Sequence, residues 1–147
     1  MALKVARGKY VGVLDADSTI QKNSVHKLVS NFISNDIGAV ISMIKIRSPK
    51  TIFEKVQHYE YILISYIRKL MSNINTLYVT PGVLSLYRKS AVKKVGGFDE
   101  KGNLTEDLEI ALNLRRHHYR VISDSDSITY TSPPKTFWEL WRQRVRW

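Results

Sequence analysis

At 147 residues, 44% hydrophobic and 24% charged, the chain has the size and composition of one globular domain, which excludes a disordered or low-complexity protein. It has no cysteine, so neither a disulfide framework nor a cysteine-based zinc site is available. A formal net charge of +10 draws polyanions, whether nucleic acid, an anionic membrane surface or phosphorylated small molecules, without choosing among them.

The N-terminus lacks the long apolar stretch of a signal peptide. The nearly all-apolar run Tyr10 to Leu14 has the character of a strand buried on both faces, and it ends in Asp15-Ala16-Asp17. Val25, Leu28, Val29 and Phe32 recur at helical spacing and predict an amphipathic helix from about Asn23 to Ser34. A strand from Ile37 to Ile46 follows and ends at Ser48-Pro49. Thr51 and Glu54 have capping-box spacing and open a helix that Val56, Tyr59, Leu63, Tyr66, Ile67 and Leu70 continue to about Met71. Its longest apolar run, Tyr61 to Ile67, is far short of the roughly 20 residues a membrane span needs, and Glu60, Arg68 and Lys69 interrupt the helix. On these grounds the chain reads as soluble or peripheral.

Leu77 to Thr80 and Val83 to Tyr87 read as strand or extended structure around Pro81-Gly82. A short basic helix, Lys89 to Val95, stops at Gly96-Gly97. Glu106 to about His117 reads as helix, and Arg120 to Ser123 and Ile128 to Thr131 as strands. Behind Pro133-Pro134, Thr136 and Glu139 form a second capping box, opening a helix that runs to Trp147. Strands alternating with helices argue an α/β sheet in a single domain without a linker.

Three stretches carry chemistry. Asp15 and Asp17 stand at the carboxyl end of a strand, about 7 Å apart at Cα, where open α/β sheets bind ligands. Their hard oxygens suit Mg²⁺ or Mn²⁺, which take one or two carboxylates and complete their shell with substrate phosphates. The same pair also suits a strand-end turn with helix-capping acids. In Thr105-Glu106-Asp107, Asp107 can serve as a general base. Acids in a first helical turn are favoured by the macrodipole in any case, and Asn103 with Glu106 has cap spacing. On the terminal helix, Phe137, Trp138, Leu140, Trp141 and Trp147 crowd together with Lys135, Arg142, Arg144 and Arg146. That mixture suits a membrane interface, sugar stacking with phosphate clamping, or a plain basic surface helix.

Taken in order, D-A-D, T-E-D and the Gln143-Arg144-Val145-Arg146-Trp147 motif resemble the signature of processive, inverting family 2 glycosyltransferases, the membrane synthases of cellulose, chitin, hyaluronan and poly-N-acetylglucosamine type. The connecting text is similar too: "ARGKYVGVLDADS", "PGVLSLYRKSAVKKVGGFDE" with its G-x-x-x-x-x-R-[RK] segment, "TEDLEIALNLRRHHYRV" and "SPPKTFWELWRQRVRW". "LWRQRVRW" is closest to the poly-N-acetylglucosamine synthases.

The resemblance implies the GT-A fold, a Rossmann-like mixed sheet with flanking helices, here lacking the first strands. It implies a nucleotide-diphosphate sugar as donor, a UDP-sugar first, with Mg²⁺ or Mn²⁺ as cofactor. It also implies a glycan or lipid-linked acceptor, and a location at the cytoplasmic face of the cell membrane, reached here through the terminal helix. Asp15 and Glu106 would bind substrate, and Asp17 would ligate the metal bridging the diphosphate. Asp107 would deprotonate the acceptor hydroxyl. Gln143, Arg146 and Trp147 would belong to the interface helix, with Arg146 at the leaving diphosphate and Trp147 at the acceptor sugar.

The resemblance reaches only the second half of the family's catalytic domain. "MALKVARGKY" begins within the helix before the D-x-D strand, and the chain stops on the tryptophan of Q-x-x-R-W. A truncated frame, an excised piece or one part of a split enzyme is therefore expected, with Tyr10 to Leu14 exposed as a sheet edge. His118 stands where relatives usually carry glycine. His26, His58, His117 and His118 lack metal-ligand spacing, and "QHYEY" at Gln57 to Tyr61, although similar to a family helix near the site, reads as packing.

Competing readings are a non-catalytic remnant that binds without transferring, a nucleic-acid binder and a two-carboxylate glycosidase. The nucleic-acid reading has no motif behind it, so nucleic acid is not expected as a partner. A glycosidase would leave the Q-x-x-R-W helix unexplained.

Overall fold

The computed structural model describes residues 2–98 and 105–146. In chain order the elements are α1 (Ala2–Val5), β1 (Tyr10–Val13), β2 (Thr19–Ile20), α2 (Ser24–Ser30), β3 (Ile37–Ile46), α3 (Ile52–Asn73), β4 (Ser85–Arg88), α4 (Lys89–Lys94), α5 (Glu106–Arg116), β5 (Arg120–Thr131) and α6 (Phe137–Arg146). Among the described residues the strands form one mixed sheet in the order β1-β4-β3-β5-β2. β3 and β5 are parallel, and the other pairs are antiparallel.

β3 is the centre because its sequence, Ile-Gly-Ala-Val-Ile-Ser-Met-Ile-Lys-Ile, is apolar on both faces, as a strand covered from two sides requires. Ala39 and Ile41 point into a core with Leu77, Tyr87, Ala91, Val92, Ile110, Leu114 and Val121. Ile37 and Val40 serve a second core with Leu28, Leu84 and Leu86. Each such aliphatic side chain removed from water contributes about 1.5–3 kcal/mol. Arg88 secures the entry to β3: its buried guanidinium donates to the carbonyls of Ile37 at 3.0 Å and Ser34 at 2.6 Å.

Four expectations need correction. β1 is not buried on both faces. It pairs only with β4 at the edge of the described sheet and is half-buried to exposed. The second helix is shorter than expected. α2 ends at Ser30, where Asn31 turns its side chain back to the Lys27 carbonyl and across to Asp124, and Val25 and Val29 stay exposed. Only Ser85 to Arg88 of the extended stretch before α4 pairs as strand. The two strands expected after α5 are one, β5, in which the register against β3 slips between Asp124 and Ile128. Asp124 stabilises that irregularity by accepting from the Asp126 N–H at 2.9 Å.

α3 is laid on the sheet with its polar side inward. Ser65 Oγ accepts from the Ile44 N–H, Ser72 Oγ accepts from the Ser123 N–H, and Lys69 donates to the Ser123 carbonyl. Gln57 and Tyr61 are buried on the same side, whereas Val56, Tyr59, Leu63, Tyr66, Ile67 and Leu70 face outward. Both capping boxes form: Thr51 exchanges hydrogen bonds with Glu54, and Thr136 with Glu139. The cap expected from Asn103 lies outside the described residues, and Thr105 at the start of α5 makes no side-chain cap.

α4 and α5 end in the same motif. After α4, Gly96 N–H reaches the Lys93 carbonyl and Gly97 N–H the Val92 carbonyl, with Gly96 at φ 95°. After α5, His118 N–H reaches Arg115 and Tyr119 N–H reaches Leu114, with His118 at φ 63°.

Candidate active site

β1 runs out into the acidic turn. The Asp15 N–H donates to the Gly82 carbonyl at 3.0 Å, which continues the β1–β4 side of the sheet by one further link. The Ser18 N–H then donates to the Asp15 carbonyl at 3.0 Å, closing a turn around Asp15 and Asp17, both exposed. Ser132 Oγ, beyond β5, reaches the Asp17 carbonyl at 3.5 Å.

The segment between α3 and β4 links this turn to α5. Thr80, fully buried, donates its hydroxyl to the Asp107 carbonyl at 2.7 Å and its N–H to the same atom at 3.4 Å. Two residues on, Gly82 lies against the Asp15 carboxylate, whose Oδ1 would be 2.7 Å from a Cβ built on the glycine. Ser85 Oγ ties the intervening Pro81 carbonyl at 2.7 Å. Three consecutive residues thus hold the Asp15 side chain and the Asp107 backbone. Asp107 sits half-buried in the first turn of α5 with Oδ1 accepting from the Leu108 N–H, and Glu106 is exposed beside it. The positive end of the helix dipole favours both acids there.

Two ionisable side chains of α3, Tyr61 and Arg68, respond to these acids. Burial pushes the Tyr61 hydroxyl up to about 12, with Arg144 opposing and Glu60 and Asp17 adding to the rise. Burial also holds the Arg68 guanidinium below its usual value, and Asp107 is foremost among the groups that counter this, followed by Tyr61 and Tyr78. Tyr61 therefore lies in the field of Asp17, and Arg68 in that of Asp107. The two α3 residues are seven apart on one helix face, about 10 Å along its axis.

α6 docks on the same helix. Gln57 Nε2 donates to Gln143 Oε1 at 2.8 Å, and Arg144 pairs with Glu60. Phe53 and Phe137 rings meet at 6.5 Å. Arg146 is the last residue of α6, and Trp147 lies outside the described residues.

Sequence reasoning missed Thr80 and Arg68 as parts of this neighbourhood, knew Gly82 only as the first glycine of the G-x-x-x-x-x-R-[RK] segment, and read Gln57 to Tyr61, Glu60 included, as packing. Pro81-Gly82 and "QHYEY" were the available signals. Among the described residues no three His, Cys, Asp or Glu side chains cluster to hold a metal by themselves. Two exposed carboxylates on one turn are a donor set that fits a hard divalent cation sharing its shell with water and phosphate oxygens.

A family described as "Glycosyltransferase like family 2" matches residues 1–147. The chain is 33% identical over 147 residues to the poly-beta-1,6-N-acetyl-D-glucosamine synthase of Staphylococcus epidermidis, and 33% identical to that of Staphylococcus aureus strain COL. In each case the match covers 99% of this chain and 35% of the relative, so the chain spans about a third of the length of these curated relatives. Among solved structures it resembles the mannosyltransferase PcManGT from Pyrobaculum calidifontis in complex with GDP-Man and Mn²⁺, with a TM-score of 0.74 and 21% identity. That likeness covers 98% of this chain and 38% of the other, and it shows the GT-A fold.

Proposed function

The chain belongs to the glycosyltransferase-like family 2, and from that premise we propose that it carries the donor-binding turn and the general base of an inverting sugar transferase. The observation that carries the reading is the Thr80–Gly82 link, which gathers the Asp15 side chain and the Asp107 backbone onto three adjacent residues.

In this reading Asp15 and Glu106 bind the sugar nucleotide, and Asp17 holds Mg²⁺ or Mn²⁺. When bound, the cation neutralises charge on the departing diphosphate. Asp107 takes the proton of the acceptor hydroxyl while that oxygen bonds to the anomeric carbon. The bond from that carbon to the diphosphate breaks on the opposite face, so the configuration inverts. Arg146 faces the diphosphate, with Gln143 on the same helix, and Trp147 offers a face to the acceptor sugar.

The donor we assign is a UDP-sugar, with N-acetylglucosamine as the sugar because the relatives are named for a polymer of it. The acceptor is a glycan or a lipid-linked glycan. No helix among the described residues is long and apolar enough to cross a membrane, and we assign contact with the cytoplasmic face of the cell membrane to α6, whose Phe137, Trp138 and Trp141 are exposed.

The test is Asp17→Ala in the full-length protein, with sugar-nucleotide binding titrated by calorimetry with and without Mn²⁺. Loss of the Mn²⁺-dependent component is expected. Full metal-dependent binding and transfer in the variant would remove Asp17 from the metal site.

A further inference from the structure

Gln57 is 1% exposed, and its amide nitrogen donates twice: to the Tyr61 hydroxyl at 3.1 Å, one turn along α3, and to Gln143 Oε1 at 2.8 Å on α6. Its own amide oxygen is buried and has no partner among the described residues. A glutamine in such a place is a poor choice for packing, because an unpaired buried carbonyl is unfavourable and a leucine or methionine would fill the same volume without it. The side chain is retained for what its nitrogen holds.

What it holds is α6. Among the polar ties that fix that helix to α3 are Gln57–Gln143 and Glu60–Arg144. The charged pair is about a third exposed on both sides, 33% and 34%, so water competes for it and it specifies register weakly. The amide tie is shielded, short and directional. It also acts on the glutamine of the Q-x-x-R-W motif itself, three residues before Arg146.

We propose that Gln57 is a positioning residue for sugar-nucleotide binding: it fixes the side chain of Gln143, and with it the seating of α6 on α3. The proposal rests on the reading of α6 given under Proposed function. Tyr61 completes the arrangement. Because it accepts from Gln57, its own hydroxyl proton remains free to be donated.

The experiment uses the full-length protein and Gln57→Met, which keeps length and apolar bulk but removes both hydrogen bonds. The expected result is a rise of about five- to tenfold in donor KM, and in the Kd of UDP-N-acetylglucosamine with Mn²⁺, with kcat changed by less than about twofold. Melting temperature should stay near wild type. Gln143→Met should raise KM at least as much, and the double variant should be no worse than Gln143→Met alone, since Gln57 acts through Gln143. Gln57→Glu, able to accept from Tyr61 and from a turned Gln143 amide, should recover part of the affinity. It also supplies the readout if Gln57→Met does not fold.

Wild-type donor KM in Gln57→Met, or a double variant whose defect is the product of the two singles, overturns the proposal. A wild-type protein that binds no sugar nucleotide in the presence of Mn²⁺ overturns the reading of the whole site, and this proposal with it.

Discussion

Asp15 and Gly82 approach so closely that a methyl group at residue 82 would sit 2.7 Å from Asp15 Oδ1. The clash is with the end of a short side chain, so Gly82→Ala is expected to turn the carboxylate aside and leave the fold in place. Stability should drop by no more than about 1 kcal/mol, while sugar-nucleotide affinity falls about tenfold from the misplaced oxygen. Thermal melts beside calorimetric titration separate the two effects. Unchanged affinity in Gly82→Ala, where Asp15→Ala binds poorly, would show that the carboxylate has room to spare.

Asp107 is the group assigned to proton removal, and its carbonyl is what Thr80 holds. Asp107→Asn keeps the size and the backbone contact but lacks the basic oxygen. Rate should fall about 10²- to 10⁴-fold, with donor Kd close to wild type. Single-turnover kinetics with donor in excess reads the chemical step directly. A variant retaining wild-type turnover would move the base elsewhere.

His118 takes the left-handed position at the end of α5, with φ 63°, where α4 uses Gly96 at 95°. The hydrogen bonds of the two ends match, although Gly97 at φ 89° makes a second left-handed residue only after α4, and His118 carries the strain of a Cβ in the left-handed conformation. His118→Gly should stabilise the protein by about 1 kcal/mol, after allowing for the freer unfolded chain. Urea denaturation measures it, and a destabilised variant would mean that the imidazole makes contacts worth more than the strain.

How much of this was legible beforehand differs by residue. Ile37–Ile46 announced itself because an unbroken apolar run is what a doubly covered strand needs, and both capping boxes are local in sequence. β1 misled about burial, since apolarity marks a strand without saying what covers its faces, although its place at the sheet edge agrees with the expectation. α3 misled about its facing: the period of Val56, Tyr59, Leu63, Tyr66 and Leu70 marks a helix, yet the side on the sheet carries Gln57, Tyr61, Ser65 and Ser72. Asp124 to Ser127 looked like a break because polar residues there hold an irregularity inside one strand. The contact of Asp15 with Gly82 had no local trace at all, since it joins strand ends far apart in the chain. The motif resemblance named the acids, but the residues that seat them emerged only with the fold.

Glu54 gives α3 an acid-sensitive start. Its carboxylate accepts from the N–H groups of Thr51 at 2.8 Å and Lys50 at 2.5 Å, and these bonds hold it below the ordinary value of 4.5. A depressed carboxylate contributes stability that is present above the unfolded value and fades as pH falls through the folded one. Wild type should therefore lose more stability than Glu54→Gln between pH 7 and pH 3, and the gap between them should narrow over that range. Thr51→Ala should cost about 1 kcal/mol through the lost cap, with little dependence on pH. Denaturant titrations at several pH values check both, and parallel curves for wild type and Glu54→Gln would contradict the first.

α6 has two dissimilar sides. Gln143 and Arg144 engage α3, where Phe137 also meets Phe53, while Trp138, Trp141 and Val145 are between 56% and 71% exposed. Phe137 stacks on Trp141 at 6.3 Å and meets Trp138 edge-on at 5.5 Å, so the exposed aromatics form one surface bordered by Lys135 and Arg142. Left in water, that surface is unfavourable; set at a lipid headgroup boundary, it buries rings and leaves cations at the phosphates. Trp138 and Trp141 lie on this helix and Trp147 directly follows it in sequence, so tryptophan fluorescence reports on this segment of the chain. In bilayers containing brominated anionic lipid, tryptophan emission should be strongly quenched, and replacing Trp138 and Trp141 by phenylalanine should remove most of the quenchable signal. Emission indifferent to the bromine label would place α6 away from the membrane, and its aromatic side would then have to be covered by protein.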